Sequence, residues 1–135
     1  MIVADANLIT CLVIPNEFSE AAAAVFEADP VWVAPLLWRS EFRGALADCL
    51  VRQGMTLDAG LLAMRSAEDI IAGREYRVES AAVLELVKRS KCSAYDCEYV
   101  ALAKDLSVPL VTFDRALSKA FPKVVVAVEK FVRKQ

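Results

Sequence analysis

Four carboxylates in this sequence sit where an oxygen-rich acidic site would need them: Asp5, Glu41, Asp96 and Asp114. Asp5 ends the opening apolar run IVA and is followed by Asn7, while Asp114 ends the run LVTF, with Thr112 two residues before it. Strands buried on both faces read as continuous apolar runs, and open α/β sheets bind ligands just beyond the carboxyl ends of their strands. Each acid also has a plainer use. Asp5 and Asp114 are good N-caps for helices that follow them. Asp96 lies three residues after Ser93, as in a capping box, and Glu41 suits an ordinary helix surface. Yet Asp96 shares a helical face with the apolar Tyr99, Val100 and Ala103. Glu41 likewise borders the stripe Trp38, Phe42, Ala45, Leu46 and Cys49, and a carboxylate on a core-facing flank needs a partner.

Four carboxylates opening onto one edge of a sheet would repel one another and raise each other's pKa unless a cation neutralised them. A hard divalent ion fits that need, because Mg²⁺ takes oxygen ligands, keeps several waters and is held by one or two carboxylates directly. Such a site suits phosphodiester hydrolysis, in which the metal lowers the pKa of the attacking water and stabilises charge on the phosphate. The chain contains no histidine, which removes Ser-His and Cys-His nucleophiles and any imidazole base. Cys11, Cys49, Cys92 and Cys97 form no CxxC pair. They read as reduced thiols, mostly inside helices, rather than a zinc site.

The elements that must carry these residues alternate between apolar runs and helical patterns, which marks an α/β protein with a central parallel sheet flanked by helices. A strand at 2 to 5 leads into a helical turn ended near Pro15, and a helix covers about 17 to 28. A short strand at 31 to 33 precedes a long helix at 36 to 53 closed by Gly54, then a helix at 57 to 72 ending at Gly73. REYRV reads as a short extended stretch, followed by helices from Ser80 to about 89 and from about 94 to 106. The strand PLVT, a short helix at 115 to 120 and a final strand KVVVAV complete the pattern. No linker, low-complexity tract or internal repeat divides the 135 residues, so a single domain over 1 to 135 is expected.

The net charge of -2 argues against a protein that grips nucleic acid by bulk positive charge. Local cations remain: Arg39 and Arg43 flank Glu41, Arg115 and Lys119 follow Asp114, and Lys88, Arg89 and Lys91 form a short run whose plainer reading is a solvated helix face. Glu98 points about 200° away from Asp96 around a helix and reads as surface. Asp48, Asp58, Glu68, Asp69 and Asp105 read as capping and solubility residues. Trp32 and Trp38 read as core, while Tyr95 and Tyr99 stand open between core and substrate contact. No apolar stretch approaches the roughly 20 residues of a membrane span, and Asp5 interrupts any signal-like N-terminus. The expected location is cytoplasmic.

These segments together resemble the PIN-domain family, and within it the VapC-like toxin ribonucleases of type II toxin-antitoxin systems. The likeness rests on the opening strand with Asp5 and Asn7, on LLWRSEFRGAL with Glu41, on SAYDCEYVALAKDLSVPLVTFDRAL with Asp96 and Asp114, and on the closing strand. It implies a single-domain Rossmann-like PIN fold, an Mg²⁺ or Mn²⁺ site and endonucleolytic cleavage of RNA. In that likeness Asp5, Glu41, Asp96 and Asp114 match the acidic catalytic and metal-binding quartet, and Asn7 and Thr112 match polar positions beside it. Arg39, Arg43, Arg115 and Lys119 would bind flanking RNA phosphates. The family pairs as homodimers and is held inactive by a separately encoded antitoxin. The helices at 17 to 28 and 36 to 72 carry apolar residues, among them Leu61, Leu62, Met64, Ile70 and Ile71, that such pairing or plain core packing would use. An acidic site also implies that the metal-free protein binds RNA poorly. Two other readings stay open: a PIN-like module that binds RNA or protein without cleaving, and a haloacid dehalogenase-like phosphatase. Asn7 weighs against the phosphatase, which wants a second Asp at that place.

Overall fold

The sheet is built from strands whose residues are almost all inaccessible. Ile2, Val3 and Ala4 of β1 (Ile2–Ala4) are at most 1% exposed, which explains why this run lacks the polar alternation of a half-exposed strand. The structure, a computed structural model, describes all 135 residues. Along the chain β1 is followed by α1 (Ala6–Val13), α2 (Ser19–Ala28), β2 (Trp32–Pro35), α3 (Trp38–Arg52), α4 (Leu57–Ile71) and β3 (Glu75–Tyr76). Then come α5 (Ser80–Ser90), α6 (Ala94–Leu106), β4 (Leu110–Thr112), α7 (Arg115–Ala120), β5 (Val125–Ala127) and α8 (Val128–Arg133). The five strands lie in the order β3-β2-β1-β4-β5, and every pair is parallel. This is the α/β architecture, with one parallel sheet between helices, that the sequence pattern predicts.

Side chains of β1 alternate between two cores, as the two-residue period of a strand requires. Ile2 and Ala4 join Leu8, Trp32, Trp38 and Phe42 under α1 to α4 and α8, while Val3 joins Val33, Leu86, Val100, Leu110 and Leu117 under α5 to α7. Trp32 and Trp38 are fully buried, as expected. The Trp32 indole N–H donates to the Asp29 carbonyl at 2.8 Å and that of Trp38 to Glu75 Oε1 at 2.6 Å, so neither polar edge is stranded. The four cysteines are free thiols.

Helix ends follow local chemistry. Ile14 is held extended before Pro15, which ends α1, and Gly54, at φ 70°, turns the chain out of α3. Gly60 lets α4 approach α3 closely, since a Cβ there would lie 3.3 Å from Leu50 Cδ2. Thr56 and Ser93 cap α4 and α6 through bonds from Ala59 and Asp96 N–H at 3.1 and 3.0 Å.

One element departs from the sequence reading. KVVVAV is not a strand throughout: β5 stops at Ala127, and VEKFVR forms α8. Only Val128 of that apolar run enters the helix, whose next residues, Glu129 and Lys130, are exposed. Val128, Phe131 and Val132, at helical spacing, close over the α1–α2 side of the sheet. No helix is long and apolar enough to cross a membrane. On α4, Leu57, Leu61 and Leu62 stay exposed, whereas Met64 and Ile70 are half-buried and Ile71 is buried.

Candidate functional site

From β1 the chain passes to β2 on one side, and β4 lies on the other, so the sheet reverses its winding between β1 and β4. Loops leaving the carboxyl ends of such strands diverge and open a crevice. Asp5 follows β1 and Asp114 follows β4 at this place. Glu41 stands in the first turn of α3, directly after β2, and Asp96 in the first turn of α6, which returns to β4. Both helices therefore begin at the same edge of the sheet.

Hydrogen bonds tie the two strand ends together. Asp5 Oδ1 accepts the Leu8 N–H at 2.9 Å, and its Oδ2 accepts the hydroxyl of Thr112. The same Thr112 Oγ1 accepts the Asp114 N–H at 3.0 Å, and Asp114 Oδ1 accepts the Leu117 N–H at 3.1 Å. Thr112, wholly buried, is thus the bridge between β1 and β4. Asp5 and Asp114 do cap α1 and α7; capping orients each carboxylate without excluding further chemistry. Across the crevice, Glu41 Oε1 accepts the Tyr99 hydroxyl at 2.6 Å. Asn7, exposed on α1, accepts a weak bond from Cys11 Sγ at 3.8 Å.

The charge balance is strained at Asp5. Burial pushes its pKa up to about 6, the Thr112 and Leu8 bonds pull it back, and the nearby charges of Asp96 and Glu41 push it up again. Burial and then the bond to Glu41 hold the Tyr99 hydroxyl well above its ordinary pKa, so it stays a proton donor to the carboxylate. Glu98 corrects the sequence reading. It is half-buried, and its pKa is raised first by burial and then by Glu41. A direction of 200° on an isolated helix does not reveal how the fold buries that flank or brings the charge of Glu41 near it. The hydroxyl of Tyr99 had a legible signal, since a buried phenol needs an acceptor and Glu41 lacked a donor.

The donor set here is oxygen only, and Asp5 carries an electrostatic cost that a cation would relieve. No three of the acids form a group that would hold a metal by themselves. An ion here would be held by at most one or two carboxylates directly and otherwise by water.

The basic candidates divide. Arg39 is already committed: its Nε and Nη1 donate to Glu75 and Glu68, each at 2.6 Å, and its guanidinium lies 5.3 Å from the Trp38 ring centroid. That is a brace between α3, α4 and β3, which occupies the Nε and Nη1 donors of Arg39. Arg43, Arg115 and Lys119 are exposed. Arg43 donates to the Arg39 carbonyl at 3.1 Å, and Arg115 lies 3.7 Å from Glu129.

No protein-family model matches the chain, and no curated protein does. Solved structures do. PAE2754 from Pyrobaculum aerophilum is 19% identical, with 98% of this chain and 93% of that one covered and a TM-score of 0.72. FitAcB from Neisseria gonorrhoeae is 21% identical over 96% of this chain and 99% of that one, with a TM-score of 0.74. FitAB bound to the IR36 DNA fragment gives 21% identity, 95% of each chain and 0.74. At this identity the likeness carries the fold, over essentially the whole length of each chain.

Proposed function

We propose that the protein is a PIN-domain toxin of a toxin-antitoxin pair, acting as an Mg²⁺- or Mn²⁺-dependent endoribonuclease. The observation that carries this reading is the Asp5 carboxylate. It is half-buried at the reversal of the sheet, fixed by Thr112 and faced by Glu41 and Asp96. In this reading Asp5, Asp96 and Asp114 hold the cation directly or through water. The bound cation supplies charge neutralisation at an RNA phosphate and a water of lowered pKa. Thr112 fixes the lone pairs of Asp5, and Tyr99 holds Glu41 in one orientation, where it orients the attacking water and accepts its proton. Asn7, exposed two residues past Asp5, holds a carboxylate or water in place, and Arg43, Arg115 and Lys119 bind flanking phosphates.

The likeness to FitAB, a structure that includes DNA, supports a separately encoded antitoxin as partner. The exposed Leu57, Leu61 and Leu62 of α4 support pairing of the chain with itself. The test is incubation of fluorescent RNA with the protein in Mn²⁺ and in excess chelator. The proposal expects internal cleavage that chelation abolishes. Intact RNA at all metal concentrations would leave the non-cleaving binding module as the reading, and hydrolysis of a small phosphate ester instead of RNA would favour a phosphatase.

A further inference from the structure

A run of cations that the acidic site does not use acquires a place in the fold. Arg89, from the run at 88 to 91, lines a cavity of about 430 Å³ with Lys104 of α6 and Lys123, over Phe121 and Pro122. A neighbouring groove of about 300 Å³ runs along β5 and is lined by Lys119, Lys130 and Lys134. Pro122 lines both, and neither lining includes a carboxylate. All six cations are exposed, and none takes part in any of the chain's ion pairs. Glu85 and Asp105 share a separate cavity with Arg89 and Lys104 but do not pair with either. A molecule of net charge -2 thus keeps six of its 16 basic residues unpaired around one sheet edge, which concentrates positive potential there.

This edge connects to the acidic crevice. Helix α7 starts at Asp114 and ends where the chain turns into β5. Arg115 and Lys119 lie one turn apart on it, on one face. We infer that the β5 edge is a second nucleic-acid contact, on which Arg89, Lys104, Lys123, Lys119, Lys130 and Lys134 hold the phosphate backbone of an RNA chain that reaches the crevice along α7. The choice of RNA rests on the proposed function; the phosphate chemistry of the surface does not. The edge also revises one expectation, because RNA held here does not need the metal.

The experiment is fluorescence anisotropy of a labelled single-stranded RNA with the full chain in chelator, titrated with salt, so that cleavage plays no part. Arg89→Gln/Lys104→Gln/Lys123→Gln is compared with Arg52→Gln/Arg65→Gln/Arg77→Gln, which removes the same charge from elsewhere on the surface. A second variant, Lys119→Gln/Lys130→Gln/Lys134→Gln, tests the other groove. Single-strand contacts contribute about 0.7 each to the slope of log K against log salt. Either edge variant should therefore flatten the slope by about 2 and weaken binding roughly ten- to a hundredfold at about 0.1 M salt, with the control close to wild type. Equal slopes for edge and control variants would overturn the inference. So would an edge variant that only self-associates, the result expected if the lysines merely guard an edge strand against pairing. Failure of the wild type to cleave RNA in Mn²⁺ would sink the proposed function and leave this measurement intact.

Discussion

Replacing Asp5 by asparagine should make the metal-free protein more stable at neutral and higher pH. The carboxyl of Asp5 has a pKa of about 6 in the fold against an ordinary 3.8. A raised native pKa means that the native state binds the proton more tightly than the unfolded state. The stability it contributes is fully present below about pH 4 and is lost as pH rises through about 6. At about 1.4 kcal/mol per pKa unit, ionised Asp5 costs the fold up to about 3 kcal/mol. Asparagine keeps an acceptor for the Leu8 N–H but changes the bond with Thr112, so the expected gain is about 1 to 3 kcal/mol. For a domain of this size that is roughly 3 to 10 °C in Tm. The assay is thermal unfolding of wild type and Asp5→Asn in chelator at about pH 8 and about pH 4. A variant that melts at or below wild type at the higher pH would refute the reasoning. So would an offset of the same size at the lower pH.

Adding Mg²⁺ should raise the Tm of the wild type and leave that of Asp5→Asn nearly unchanged, since the ion binds only the native state; equal shifts would contradict a role for Asp5 in holding it. Thr112→Val removes a donor to Asp5 and an acceptor for the Asp114 N–H, so in chelator the pH at which ionisation of Asp5 costs stability, about 6 in wild type, should move upward in a series of melts; an unmoved midpoint counts against it. Tyr99→Phe frees Glu41 and should lower kcat about tenfold at little change in KM, with stability falling by about 1 kcal/mol in urea melts. Glu75→Ala strands the buried Trp38 N–H and one side of Arg39 and should cost about 2 to 3 kcal/mol, whereas Glu75→Gln should recover part of it; equal losses would show that the brace is not what Glu75 provides.

The strand ends were legible because buried parallel strands leave a plain signal. IVA stops at Asp5 and LVTF at Asp114, and the pairing of β1 with β4 puts both at the same end of neighbouring strands. Helix starts at Glu41 and Asp96 followed from the same alternation. What sequence did not show is how neighbouring helices pack. Glu98 is half-buried and feels the charge of Glu41 only because of where α6 lies, and Arg39 finds Glu68 and Glu75 from elements 29 and 36 residues away. Helix α8 lies past the apolar run except for Val128, and only the i, i+3, i+4 spacing of Val128, Phe131 and Val132 marks so short a helix in the sequence. Lys104 and Lys123, 15 and 34 positions beyond Arg89, line one cavity with it only in the fold.

Asp5 is where stability and activity pull in opposite directions, and one paired measurement reads both. Wild type and Asp5→Asn are incubated with fluorescent RNA and Mn²⁺ at about pH 8, while a separate aliquot of each is melted in chelator to read its stability. The wild type should cleave the RNA internally, and the variant, at least as stable, should leave it intact. A variant that cleaves like the wild type would contradict the role given to Asp5.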